Sequence, residues 1–137
     1  MAASNGIPRK RVQQVLEEVG LAADANRRVG AYSLGMGQRL GLATALLGKP
    51  ERLVLDEPVN GLDPQGVRWI RRLLRAHADA GGTVLLSSHL IGELAEIVDD
   101  VVIINGGRIK AWGGVVDVMS GHPSLEEAFF AHVEARA

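Results

Sequence analysis

Arg52-Leu53-Val54-Leu55-Asp56-Glu57-Pro58-Val59-Asn60-Gly61-Leu62-Asp63-Pro64 is the stretch on which the reading of this chain turns. Its apolar run, Leu53 to Leu55, predicts a short buried strand that Pro58 stops, with two adjacent carboxylates, Asp56 and Glu57, at the C-terminal end. Open α/β sheets place their ligand sites at that end. Two neighbouring carboxylates there can divide the work of nucleotide hydrolysis, one holding Mg²⁺ through its water shell and the other positioning or deprotonating the attacking water. A strand closed by an acidic turn accounts for the same residues, so the flanking sequence has to decide.

Downstream, Asp63-Pro64 is a helix start, with Asp63 as N-cap and Pro64 at the first helical position. The helix is predicted to run to about Ala78. Arg68, Arg71, Arg72 and Arg75 share one face, read as solvated, and Ile70, Leu73, Leu74 and His77 fall on another. No aromatic stacking platform accompanies the arginines, so nucleic acid is not an expected partner. Gly81-Gly82 turns the chain into a second buried strand, Thr83 to Ser87, which ends at Ser88-His89. A histidine just past a strand's C-terminal end is placed to hydrogen-bond a ligand there. His89 and Glu93, four apart without a third ligand, fall short of a zinc set. Leu90, Leu94 and Ile97 follow helical spacing, and Val101–Ile104 and Arg108–Trp112, joined through Asn105-Gly106-Gly107, read as a hairpin. Ser124-Leu125-Glu126-Glu127 is a capping box that opens a final helix.

Upstream, Val12, Val15, Leu16 and Val19 predict an amphipathic helix between Pro8 and Gly20, and its basic opening, Arg9-Lys10-Arg11, reads as a solvated first turn. Polar residues and glycine from Asp24 to Gly30 predict a loop. In Tyr32-Ser33-Leu34-Gly35-Met36-Gly37-Gln38-Arg39, Ser33 can cap a helix and Gly35 permits close backbone approach. The start of such a helix offers free N–H groups and a positive dipole end to an anion, while Leu40, Ala43, Leu46 and Leu47 give it a packing face. Gly48-Lys49-Pro50 fails as a phosphate-cradling loop: Ala43 stands where its first glycine belongs, Pro50 replaces the hydroxyl, and no strand precedes it. Gly48 and Pro50 read as helix-stop residues. Gly35-Met36-Gly37 follows a loop rather than a strand and is no dinucleotide fingerprint.

The bounds are those of a globular domain: 137 residues, 47% hydrophobic and 23% charged, with a net charge of −1 that sets up no field for nucleic acid or an anionic membrane. The chain contains no cysteine, which excludes disulfides and thiolate metal sites. No apolar run approaches the roughly 20 residues of a membrane span, and Met1 to Lys10 lacks the apolar middle of a signal peptide. A soluble or peripheral protein is expected, with no linker or repeat dividing the chain.

The ordered motifs resemble the C-terminal half of an ATP-binding-cassette ATPase, the motor subunit of ABC transporters. Residues 32–39 resemble the signature motif, Leu53 to Glu57 the Walker B strand, Gly61-Leu62-Asp63 the D-loop and His89 the switch histidine. Leu34 and Met36 stand in place of the common Gly and Gln, a variant similar to those of ABC-2 type drug- and antibiotic-resistance exporters. The resemblance implies an α/β fold: an incomplete P-loop NTPase core with part of the helical subdomain, parallel strands and a C-terminal hairpin. It divides the chain into a helical and signature portion (1–48), a core with hairpin (49–118) and a C-terminal helix (119–137). It implies ATP and Mg²⁺ as cofactors, with Asp56 holding the metal through water, Glu57 and His89 catalytic, and Ser33, Gly35, Gln38 and Asp63 reaching the ATP site across a head-to-tail dimer. The implied partners are a second ATPase subunit and an ABC-2 type membrane permease, and the implied location is cytoplasmic, peripheral at the inner face of the cell membrane.

Where the family carries a Walker A loop, an adenine-stacking strand and a Q-loop before the signature, this sequence has none, and Met1 resembles a position inside the helical subdomain. The isolated chain is therefore expected to bind little ATP, to hydrolyse almost none, and to leave apolar strand edges unpaired. The leading expectation is an ATP-binding subunit fragment of an exporter, inactive without a Walker A half. The alternative is a non-catalytic partner that supplies its signature motif in trans to a complete ABC ATPase. A soluble ABC ATPase outside transport is the third.

Overall fold

The computed structural model describes residues 2–134, apart from the side chains of Ser4 and Glu93. Met1 and residues 135–137, the end of the expected C-terminal segment, lie outside the described residues, as does the Glu93 side chain considered with His89. The chain forms two compact units, Met1–Ser87 and Ser88–Ala137. No Pro-, Gly- or Ser-rich tract marks the boundary between them.

The first unit begins with a 3₁₀ turn, Ala3–Asn5, and then helix α1, Arg9–Glu18, which starts after Pro8 in extended conformation and stops at Gly20 with φ of 69°. Two further 3₁₀ turns, Ala22–Asp24 and Val29–Ala31, overlap the two ends of the loop expected over Asp24 to Gly30. Helix α2, Leu34–Leu46, strand β1, Arg52–Asp56, helix α3, Pro64–Asp79, and strand β2, Thr83–Ser87, follow. β1 and β2 pair in parallel, Leu53 opposite Val84 and Asp56 opposite Ser87. Val15 of α1, Leu42 and Leu46 of α2, Leu53 of β1, and Ile70 and Leu74 of α3 close into one apolar core.

Two local features depart from the sequence reading. The chain leaves α2 through a left-handed Lys49, φ of 52°, rather than through Gly48. The Arg11 side chain is only 15% exposed, so the basic first turn of α1 is not wholly solvated. Its guanidinium donates to the carbonyls of Leu46 (2.8 Å), which also accepts the Lys49 N–H (3.0 Å), and of Leu47 (3.4 Å) at the end of α2. The basic face of α3 divides likewise: Arg68 and Arg72 are exposed, while Arg71 and Arg75 are half-buried.

In the second unit the helix expected over Leu90 to Ile97 is a single turn, α4, Ile91–Leu94. Strands β3, Asp100–Asn105, and β4, Arg108–Gly114, form the antiparallel hairpin, with Gly106 and Gly107 at φ of 57° and 71° in its tight turn. A short helix, α5, Val115–Val118, which has no sequence cue, and α6, Leu125–Glu134, complete the unit. The Ser124 hydroxyl accepts the Glu127 N–H at 3.1 Å, which caps α6. Ile103, Val118 and Leu125 form the buried centre, while Val102, Ile104, Ile109 and Trp112 are exposed. No helix among the described residues is long and apolar enough to cross a membrane. The fold is α/β, with a parallel pair and a C-terminal hairpin as the sequence implies.

Candidate functional site

Strand β1 is short because its inward positions, Leu53 and Leu55, anchor it on the core and Pro58 ends it. Asp56, its last residue, is exposed. Glu57 follows with φ of 47°, a left-handed conformation that residues other than glycine seldom adopt. The main chain then turns tightly, the Asn60 N–H donating to the Glu57 carbonyl at 3.0 Å and Leu62 N–H to Val59 at 3.2 Å.

Ser87, the parallel neighbour of Asp56, ties the two acidic residues together. Its hydroxyl donates to Asp56 Oδ1, and the Glu57 N–H donates to the Ser87 carbonyl (3.2 Å) and to Ser87 Oγ (3.1 Å). Sequence reasoning takes Ser87 only as the end of a strand. The signal that could have found it is register: a hydroxyl closing one parallel strand beside an aspartate closing the next.

Ser33 caps α2 with extended φ and ψ, its hydroxyl accepting the Met36 N–H at 3.2 Å. The helix thus begins at Leu34, about one half-turn before Met36. Ser33 and Leu34 are exposed at the start of this helix, where its first N–H groups form its positive end. The same helix start meets the segment after β1. Gln38 Nε2 donates to the Asn60 carbonyl at 3.3 Å, Leu34 lies over the α-carbon of Gly61, and a β-carbon on Gly35 would sit 3.6 Å from Leu62 Cδ2. Asp63 accepts the Gly66 N–H at 2.7 Å and caps α3, so one of its carboxylate oxygens is engaged within the chain.

Six of the seven sequence-predicted residues therefore lie in the first unit, in two groups: Asp56 and Glu57 on Ser87, and Ser33, Gly35 and Gln38 beside the Asn60–Asp63 turn. His89 is in the second unit, an exposed residue two positions after β2, preceded by Ser88, whose hydroxyl accepts the Leu90 N–H at 3.1 Å. Among the described residues no three His, Cys, Asp or Glu side chains converge as a metal centre. Asp56 still fits a hydrated Mg²⁺ carried on nucleotide phosphates, because such an ion takes one or two carboxylates and keeps several waters.

Comparison with known proteins gives the family of the chain. A family model described as "AAA domain, putative AbiEii toxin, Type IV TA system" matches residues 9–95. The ABC transporter ATP-binding protein YcbN of Bacillus subtilis is 48% identical over 111 residues, 80% of this chain and 36% of the relative. The bacitracin transport ATP-binding protein BcrA of Bacillus licheniformis is 43% identical over 133 residues, 96% of this chain and 39% of the relative. A solved ATP-binding subunit of an ABC transporter superposes with a TM-score of 0.77 at 28% identity, over 96% of this chain and 58% of that one. The chain thus spans well under half the length of these two curated relatives. It belongs to the ABC transporter ATP-binding proteins, in the AAA-domain family whose model it matches, and spans part of their nucleotide-binding domain.

Proposed function

We propose that this chain is the signature and Walker B part of an ABC transporter ATP-binding subunit, in which ATP hydrolysis is coupled to export. The observation that carries the reading is the parallel pair β1–β2, which delivers Asp56 and Glu57 together at a strand's C-terminal end. When bound on the nucleotide, Mg²⁺ supplies charge neutralisation at the phosphates. Asp56 holds the hydration shell of that ion, and Glu57 orients or deprotonates the attacking water. His89 contacts the γ-phosphate. Ser33, Gly35 and Gln38, at the positive end of α2, face a γ-phosphate bound on an opposing subunit, and Asp63 lies between the two sites of a head-to-tail dimer. Residues 1–48 serve as the helical and signature portion, 49–118 as core with hairpin, and 119–137 as the C-terminal segment.

The proposed partners are an ABC-2 type membrane permease and a second ATPase subunit, with the complex at the cytoplasmic face of the membrane. Likeness to a bacitracin transport ATP-binding protein supports a transport role. A second reading, a non-catalytic partner that offers Ser33 in trans to a complete ABC ATPase, is favoured by the exposed, capped start of α2.

Adding the purified chain to a complete ABC ATP-binding subunit and measuring ATPase separates the two. Under the trans reading the chain changes turnover and Ser33→Ala abolishes the effect, while Glu57→Gln does not. Under the leading reading the added chain leaves turnover unchanged, and Glu57→Gln lowers hydrolysis only when the chain completes a subunit that carries a Walker A loop. Unchanged turnover on addition contradicts the trans reading, and equal hydrolysis with and without Glu57→Gln in a completed subunit contradicts the leading one.

A further inference from the structure

Glu57 carries a β-carbon in a backbone region that favours glycine, so neighbouring bonds must hold it there. The main-chain N–H of Glu57 can only donate. It donates to both oxygens of Ser87, the carbonyl at 3.2 Å and Oγ at 3.1 Å. An ionised Asp56 can only accept, so the proton of the Ser87 hydroxyl is directed to Asp56 Oδ1. The hydroxyl's donor and one of its acceptor positions are then committed, one to each of two consecutive residues. Strand register fixes this juxtaposition, since Asp56 and Ser87 are opposite one another in the parallel pair.

We propose that Ser87 is a positioning residue whose single hydroxyl fixes the Asp56 carboxylate and the left-handed main chain of Glu57 as one unit. The apolar alternation of β2 does not require a hydroxyl here, because position 87 is exposed and contributes nothing to the core. An alanine is compatible with the strand but leaves the Asp56 oxygen to water and the Glu57 amide with the residue-87 carbonyl alone. A threonine keeps the hydroxyl. The significance of the arrangement for catalysis rests on the proposed roles of Asp56 and Glu57, but the arrangement itself does not.

The test uses nuclear magnetic resonance on the full chain and on Ser87→Ala and Ser87→Thr, reading the side-chain carboxyl ¹³C shift of Asp56 and the hydrogen exchange of the Glu57 amide. In Ser87→Ala the Asp56 carboxyl signal is expected to move and Glu57 exchange to accelerate by about tenfold, the loss of one net hydrogen bond, while amides inside β1 and β2 keep their protection. Ser87→Thr is expected to restore both signals. Unchanged Asp56 and Glu57 signals in Ser87→Ala overturn the proposal, as does a threonine variant that behaves like alanine. Loss of protection throughout β1 and β2 in Ser87→Ala also overturns it, because Ser87 is then a strand-pairing residue only. Failure of the ATPase reading leaves these signals as described and shows itself only in turnover.

Discussion

Leu34 rests its side chain on the α-carbon of Gly61, where any β-carbon would overlap Leu34 Cδ2, and Gly61 itself is left-handed at φ of 73°. The first helical residue of the signature segment is thereby seated on the turn that leads to Asp63. Gly61→Ala meets both the conformational cost and the overlap, and an unfolding free energy lower by about 2 kcal/mol is expected in urea denaturation. Leu34→Ala in the same chain removes the overlap and should recover part of that loss, leaving the conformational part. Fully additive single and double variants would show that the two residues do not meet.

Asp63 and Ser33 were legible as caps because a short polar side chain before a helical pattern has a single use there, and both accept the expected N–H. The parallel strands were legible from apolar runs bounded by breakers, but their expected burial is not observed, since one face of the pair is open and Val54 and Leu85 are 76% and 63% exposed. Arg11 was not, since its partners are carbonyls more than 30 residues away that the sequence does not mark. Ser87 and the Leu34–Gly61 contact were hidden for the same reason: they depend on register and on the approach of separate elements. The single turn at Ile91–Leu94 shows the opposite failure, where helical spacing over Leu90, Leu94 and Ile97 overstates the element. The helical spacing continued there, but the helix stops after Leu94.

Capping by Asp63 can be measured on its own. Asp63→Ala is expected to reduce unfolding free energy by about 1 kcal/mol, and Asp63→Asn by less because the amide oxygen still accepts the Gly66 N–H. Equal losses in the two variants would show that the charge, not the cap, stabilises α3.

Arg11 separates two contributions. Its bond to Glu18, 3.0 Å, involves a carboxylate that is 43% exposed, so Glu18→Ala is expected to cost less than about 1 kcal/mol. Its bonds to the last carbonyls of α2 are charge-assisted and half-buried, so Arg11→Ala should cost about 2 kcal/mol, with Arg11→Lys intermediate because lysine lacks the planar fork. Thermal denaturation of the three variants provides the comparison.

The 137-residue polypeptide contains no Gly-x-x-x-x-Gly-Lys-Ser/Thr loop, and Gly48-Lys49-Pro50 does not substitute for it. Lys49 lies in a left-handed turn that leads from α2 into β1, the reverse of the strand-to-helix order of a phosphate loop. Calorimetry with Mg·ATP on this polypeptide is expected to give no binding at micromolar concentrations. A micromolar dissociation constant would mean that phosphate is held by residues other than those of a P-loop.

The most direct measurement places this chain in a complete domain. Residues 9–134 replace the matching segment of the bacitracin transport ATP-binding protein, which is 43% identical over 133 residues, and ATP binding and hydrolysis are measured with Glu57 and with Glu57→Gln. Mg²⁺-dependent hydrolysis is expected, falling by about 10²–10⁴-fold in Glu57→Gln while ATP binding is retained. Equal hydrolysis by both proteins, or a chimera that binds ATP and never hydrolyses it, would contradict the assignment of Asp56 and Glu57 to the chemistry.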